Sequence, residues 1–71
     1  MHKVDCFGDF CPVPLLKAQE ITKNMHNGET FMLVTDHSCT VESILDYYKN
    51  TDIFVDIDEV INGVWEITFS R

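Results

Sequence analysis

Two prolines one residue apart, Pro12 and Pro14, constrain this chain more than any other feature. Proline suits the first turn of a helix, where the backbone N–H groups have no intrahelical partner. The pair therefore fixes where a helix begins. It also places Cys11 at or beside that helix's N-cap. The macrodipole is positive there, which favours a thiolate over a thiol.

The rest of the chain reads as short elements around that point. Lys3-Val4-Asp5-Cys6 is a candidate strand, followed by a loop, Phe7 to Phe10, with Gly8 as its flexible point. A helix from about Pro12 to Met25 follows, with Leu15, Ala18, Ile21 and Met25 on its apolar stripe. Lys17, Glu20, Thr22 and Lys23 are expected to face solvent, and Asn27-Gly28 to stop the helix. Thr30 to Thr35 is apolar nearly throughout, as suits a strand central in a sheet or covered on both faces. Asp36-His37-Ser38-Cys39-Thr40 is rich in capping residues, and Asp36 is expected to cap the next helix. That helix runs from Cys39 or Thr40 to Lys49, with Val41, Ile44, Leu45 and Tyr48 buried. Ile53 to Asp58 alternates like a strand with one wet face. Asn62-Gly63 signals a hairpin into Val64 to Phe69.

The order β-α-β-α-β-β predicts an α/β fold: a two-layer α+β sandwich, with two helices on one face of a four-stranded mixed sheet. The first two strands, joined by a helix, should be parallel. Their carboxyl ends then share one edge, where catalytic groups tend to collect. Cys11 and the loop from Asp36 to Thr40 both belong to that edge, which singles out His37 and Cys39 beside Cys11.

Seventy-one residues suit one domain, 1–71, with a small core. No apolar run approaches the roughly 20 residues of a membrane span, and Met1-His2-Lys3-Val4-Asp5 has no signal-peptide core, so a cytoplasmic chain without membrane insertion is expected. The formal charge of −7 is uneven. Residues 1–35 hold four acids against three bases, and residues 36–71 eight against two. Direct nucleic-acid binding would need the opposite sign. The acids serve as a solubilising surface or as a face for a basic protein partner. Three cysteines, Cys6, Cys11 and Cys39, are an odd count and too few for a four-ligand zinc site. No metal and no cofactor is expected, and a reactive thiol is.

The stretch Asp5-Cys6-Phe7-Gly8-Asp9-Phe10-Cys11-Pro12-Val13-Pro14 resembles the opening of the TusA family, also called SirA-like. Gly28-Glu29-Thr30, Asp36 and Ile44 also fit its pattern, so the resemblance covers essentially the whole chain. It implies a sulfur carrier or sulfurtransferase, with sulfane sulfur held as a persulfide on Cys11. Pro12, Pro14 and Gly8 are the supporting motif. It also implies a strand order of 1-2-4-3 with the fourth strand antiparallel. Implied partners are a donor (a cysteine desulfurase, a rhodanese-type enzyme or thiosulfate) and an acceptor protein. Implied uses include tRNA thiolation, sulfur oxidation and molybdenum-cofactor assembly. Asp36-His37-Ser38-Cys39 and Trp65-Glu66-Ile67-Thr68 resemble the YeeD-like branch, associated with YeeE-type thiosulfate transporters.

Sulfur transfer requires a thiolate that attacks a sulfane sulfur and then presents it to the next thiol. Cys11 has the position for both. Cys39 is either a small residue in a capping loop or a second thiol facing Cys11. His37 is either a surface residue or a proton donor to the leaving sulfur species. Cys6 reads as core. Asp5 and Asp9, if close to Cys11, would oppose its ionisation. Two other functions fit the same residues: a thiol–disulfide redox protein, although no Cys-x-x-Cys pair is present, or a non-catalytic regulatory module.

Overall fold

The computed structural model describes residues 2–10 and 13–71; Met1, Cys11 and Pro12 lie outside the described residues. Six elements follow in the order β1 (His2–Asp5), α1 (Val13–Lys23), β2 (Thr30–Thr35), α2 (Ser38–Tyr48), β3 (Phe54–Ile61) and β4 (Val64–Ser70). The sheet order is β1-β2-β4-β3. β1 runs parallel to β2, and β4 is antiparallel to both β2 and β3. The architecture and strand order are those expected.

Register explains why one face is dry. Phe31 lies opposite Phe69, and Leu33 opposite Ile67. Side chains alternate along a strand, so these four point to one side. All four are buried, together with Ala18 of α1, Met25 just beyond that helix, and Ile44 and Tyr48 of α2. Both helices therefore cover the same face. The rings of Phe31 and Phe69 stack at 4.4 Å, and Tyr48 meets Phe69 edge-on at 5.3 Å. β2 is central, but only one of its faces lies under helices. On the other face Met32 and Val34 sit beside Thr68 and Glu66 of β4.

Several boundaries differ from the sequence reading. α1 stops at Lys23 rather than Met25, because the chain tightens there into Asn24 N–H to Ile21 C=O (3.1 Å) and Met25 N–H to Thr22 C=O (3.2 Å). Gly28, at φ +91°, makes the turn into β2 and donates its N–H to the Arg71 carbonyl at 2.7 Å. Thr22 is buried, not solvent-facing. It shares a stripe with Pro14 and Ala18 at four-residue spacing, and its hydroxyl bonds the Tyr48 hydroxyl at 2.9 Å. In α2 the same spacing buries Thr40, Ile44 and Tyr48, which leaves Leu45 about half exposed. β1 ends one residue before Cys6, although the Cys6 N–H still donates to Val34 C=O at 2.8 Å. β3 begins at Phe54 and reaches Ile61, with a register shift between Glu59 and Ile61. Its wet face is as expected, with Phe54, Asp56 and Asp58 exposed and Val55 and Ile57 set against the core. Gly63 closes the β3–β4 hairpin at φ +83°.

Candidate functional site

Because β1 and β2 are parallel, the loops after them leave the same edge of the sheet. The first is shaped from within. The Asp5 carboxylate accepts the Phe7 N–H at 2.9 Å, Gly8 turns at φ +79°, and the Asp9 N–H donates to Cys6 C=O at 3.1 Å. The Phe10 carbonyl then accepts the Val13 N–H at 2.7 Å, so the described residues on either side of Cys11 and Pro12 are tied to one another. Pro14 is buried in the first turn of α1.

The second loop is joined to the first. Asp36 Oδ1 accepts the Gly8 N–H at 3.2 Å and lies 2.9 Å from His37 Nδ1. The Gly8 N–H, then Asp36's own backbone N–H and His37, hold the Asp36 carboxyl below the usual carboxylate range. The His37 ring meets Phe10 edge-on at 5.4 Å. This corrects the expected role of Asp36. The N-cap of α2 is His37, without a side-chain cap bond, and α2 begins at Ser38. The Asp36 carboxylate is spent on the neighbouring loop instead of on α2's free N–H groups.

Of the residues singled out in the sequence, Gly8 and His37 are thus brought together through Asp36 and Phe10. Cys39 is exposed on the first turn of α2. Cys11 and Pro12, the centre of the motif, lie outside the described residues. Cys6 is fully buried, and burial pushes its thiol above the usual range. Nearby Lys17 pulls that thiol down, while Asp9 and Asp5 push it up. The surface flanking Cys11 in sequence is apolar: Phe7, Phe10, Val13 and Leu16 are exposed, Phe10 by 74%. A groove of about 670 Å³ runs from Leu16 past Gln19, Lys23 and Tyr47 to Arg71. Among the described residues no cluster of three metal-ligating side chains occurs, and no helix is long and apolar enough to cross a membrane.

Lys17 faces solvent as expected, but the sequence reading missed its partner: its Nζ lies 2.6 Å from Asp9 Oδ2. The available signal was charge: a lysine one turn into the helix, opposite an acid in the loop that leads to it.

Residues 2–71 match the family described as Sulfurtransferase TusA. The chain belongs to the TusA family. A candidate sulfur carrier protein of Methanocaldococcus jannaschii is 30% identical over 71 residues, which is all of this chain and 95% of that protein. The crystal structure of a SirA-like protein from Desulfitobacterium hafniense has the same fold, with a TM-score of 0.83 at 21% identity over 97% of this chain and 95% of that one. TusA-family membership thus agrees with the topology, and the described loop residues of the stretch that carried the resemblance, Phe7 to Phe10, lie at the edge where the two loops meet.

Proposed function

We propose that this TusA-family chain relays sulfane sulfur as a persulfide on Cys11. The observation that carries this reading is the family match across residues 2–71, which includes Cys11-Pro12-Val13-Pro14. Its geometry is supportive: Phe10 and Val13, the described neighbours of the motif's first half, are both exposed, so a partner's thiol can approach this edge. With thiosulfate as donor, the Cys11 thiolate attacks the sulfane sulfur. The S–S bond breaks and sulfite leaves with the electron pair. An acceptor thiolate then attacks the outer sulfur of the persulfide, which regenerates the Cys11 thiolate. With a cysteine desulfurase or a rhodanese-type enzyme, the same attack falls on the donor's persulfide. His37, held by Asp36 and in contact with Phe10, is the group proposed to take up or give the proton as sulfur moves.

A disulfide reading, Cys11 with Cys6 or Cys39, has no Cys-x-x-Cys pair behind it; Cys6 is buried with its thiol shifted away from ionisation, which leaves exposed Cys39 as the partner such a reading needs. The test is intact mass after incubation of the reduced protein with thiosulfate, or with a desulfurase and cysteine. A gain of about 32 Da, the mass of one persulfide sulfur, is expected in the wild type and not in Cys11→Ser. A loss of two hydrogens favours the disulfide reading, and no change with any donor favours an interaction module.

A further inference from the structure

A neutral imidazole carries its proton on only one of its two ring nitrogens, and the other is the basic one. At His37 one nitrogen is already engaged: Nδ1 lies 2.9 Å from Asp36 Oδ1. The same oxygen accepts the Gly8 N–H at 3.2 Å, so the carboxylate is anchored across the two loops. That bond, and after it Asp36's own backbone N–H, keep the carboxyl ionised to lower pH than usual. An ionised carboxylate only accepts hydrogen bonds, so Nδ1 must supply the proton that lies between them. The residue is held from other sides too. The His37 N–H donates to Thr35 Oγ1 at 3.3 Å, and Phe10 meets the imidazole edge-on at 5.4 Å.

We propose that Asp36 is a positioning residue that fixes the neutral His37 ring as its Nδ1–H tautomer, with Nε2 as the nitrogen that accepts a proton. Free imidazole side chains favour the opposite form, with the proton on Nε2, so the fold imposes this one. The other carboxylates of the first loop are engaged elsewhere: Asp5 accepts the Phe7 N–H, and Asp9 pairs with Lys17. The His37 and Asp36 side chains are 29% and 36% accessible, so the ring is held at a surface that a partner can reach. The consequence for sulfur transfer rests on the reading of His37 as the group that exchanges a proton during relay. The tautomer itself depends only on the contacts of His37 and Asp36.

The ring can be read directly, without a sulfur donor. In protein carrying isotope-labelled histidine at about pH 9, where an imidazole is neutral, long-range proton–nitrogen correlation spectra distinguish a protonated ring nitrogen from a bare one. The His37 signals are separated from those of His2 and His26 by their loss in His37→Gln. They should show Nδ1 protonated and Nε2 bare as the major form, and Asp36→Ala should invert that ratio. A residue that merely tethers the two loops would leave the tautomer ratio where it was. An Nε2–H majority in the wild type, or an Nδ1–H majority that survives Asp36→Ala, overturns the proposal. Melting curves show whether Asp36→Ala stays folded; if it does not, the wild-type spectrum decides alone. An Nδ1–H ring in a protein that never gains sulfur would leave this inference standing and sink the persulfide reading. Sulfur loading by a protein with an Nε2–H ring would do the opposite.

Discussion

At the carboxyl end of α1, Arg71 gathers the chain. Its guanidinium donates to Thr22 C=O (3.3 Å) and Met25 C=O (2.9 Å) and forks onto Asp52 at 3.1 and 3.0 Å. Its own N–H donates to Glu29 C=O, and its carbonyl accepts the Gly28 N–H. At the other end of the helix, among the described residues, the contacts are spread over several side chains: Asp36 on the Gly8 N–H and on His37, the His37 ring on Phe10, and Lys17 on Asp9. The first end is closed by many groups converging on one residue. The second holds its loops in place while leaving Phe7, Phe10 and Val13 exposed. A chain of 71 residues has room for one small core, and here the rigid clamp and the open mouth sit at opposite ends of the same helix.

Substitutions can break this contrast. The largest effect should come from Phe69→Ala, which removes the ring stacked on Phe31 and costs about 3–5 kcal/mol. Both ends should fail together, read as loss of a cooperative melt. Arg71→Ala should lower the melting midpoint by several degrees yet leave the alkylation profile of Cys11 unchanged; an altered profile would mean that the two ends are coupled. Gly8→Ala should lower the midpoint too, but should also change the alkylation profile of Cys11. Nothing lies within 4 Å of the added Cβ, so the cost is only that of φ +79°, about 1 kcal/mol. Sulfur loading should slow by more than that stability loss explains.

The smallest effect separates the ends by acid titration. Gly8 lowers the Asp36 carboxyl and Arg71 lowers that of Asp52. A carboxyl depressed in the folded state adds stability that is fully present above its unfolded pKa, near 3.9. That stability is lost as pH falls through the lower folded value. Asp36→Asn and Asp52→Asn should each flatten part of the fall in melting midpoint below about pH 4, and only Asp36→Asn should change the Phe10–His37 contact seen by NMR.

The element order was legible because the apolar periods are short and most are bounded by Gly, Pro or Asn: Pro12 and Pro14, Asn27-Gly28, Asn62-Gly63. The candidate thiol was legible for the same reason, since the prolines mark one helix mouth. What was not legible depends on contacts across the chain. Leu45 fits a helical stripe, but the face that packs is set by Thr40, Ile44 and Tyr48 against the sheet. Thr22 looks like surface until the Tyr48 hydroxyl arrives from 26 residues away. Asp36 has the composition of a cap, and only the parallel pairing of β1 with β2 puts Gly8 within its reach. Local pattern names the residue; which partner claims it is a property of the assembled sheet.

β3 has one further consequence. It is an eight-residue strand at the edge of the sheet, with Phe54, Val60 and Ile61 exposed along it. Such an edge is a template for a second copy's backbone. Asp56, Asp58 and Glu59 crowd it with like charge, so two copies approaching edge to edge repel. The acidity of the second half of the chain thus works against edge-to-edge pairing of two copies.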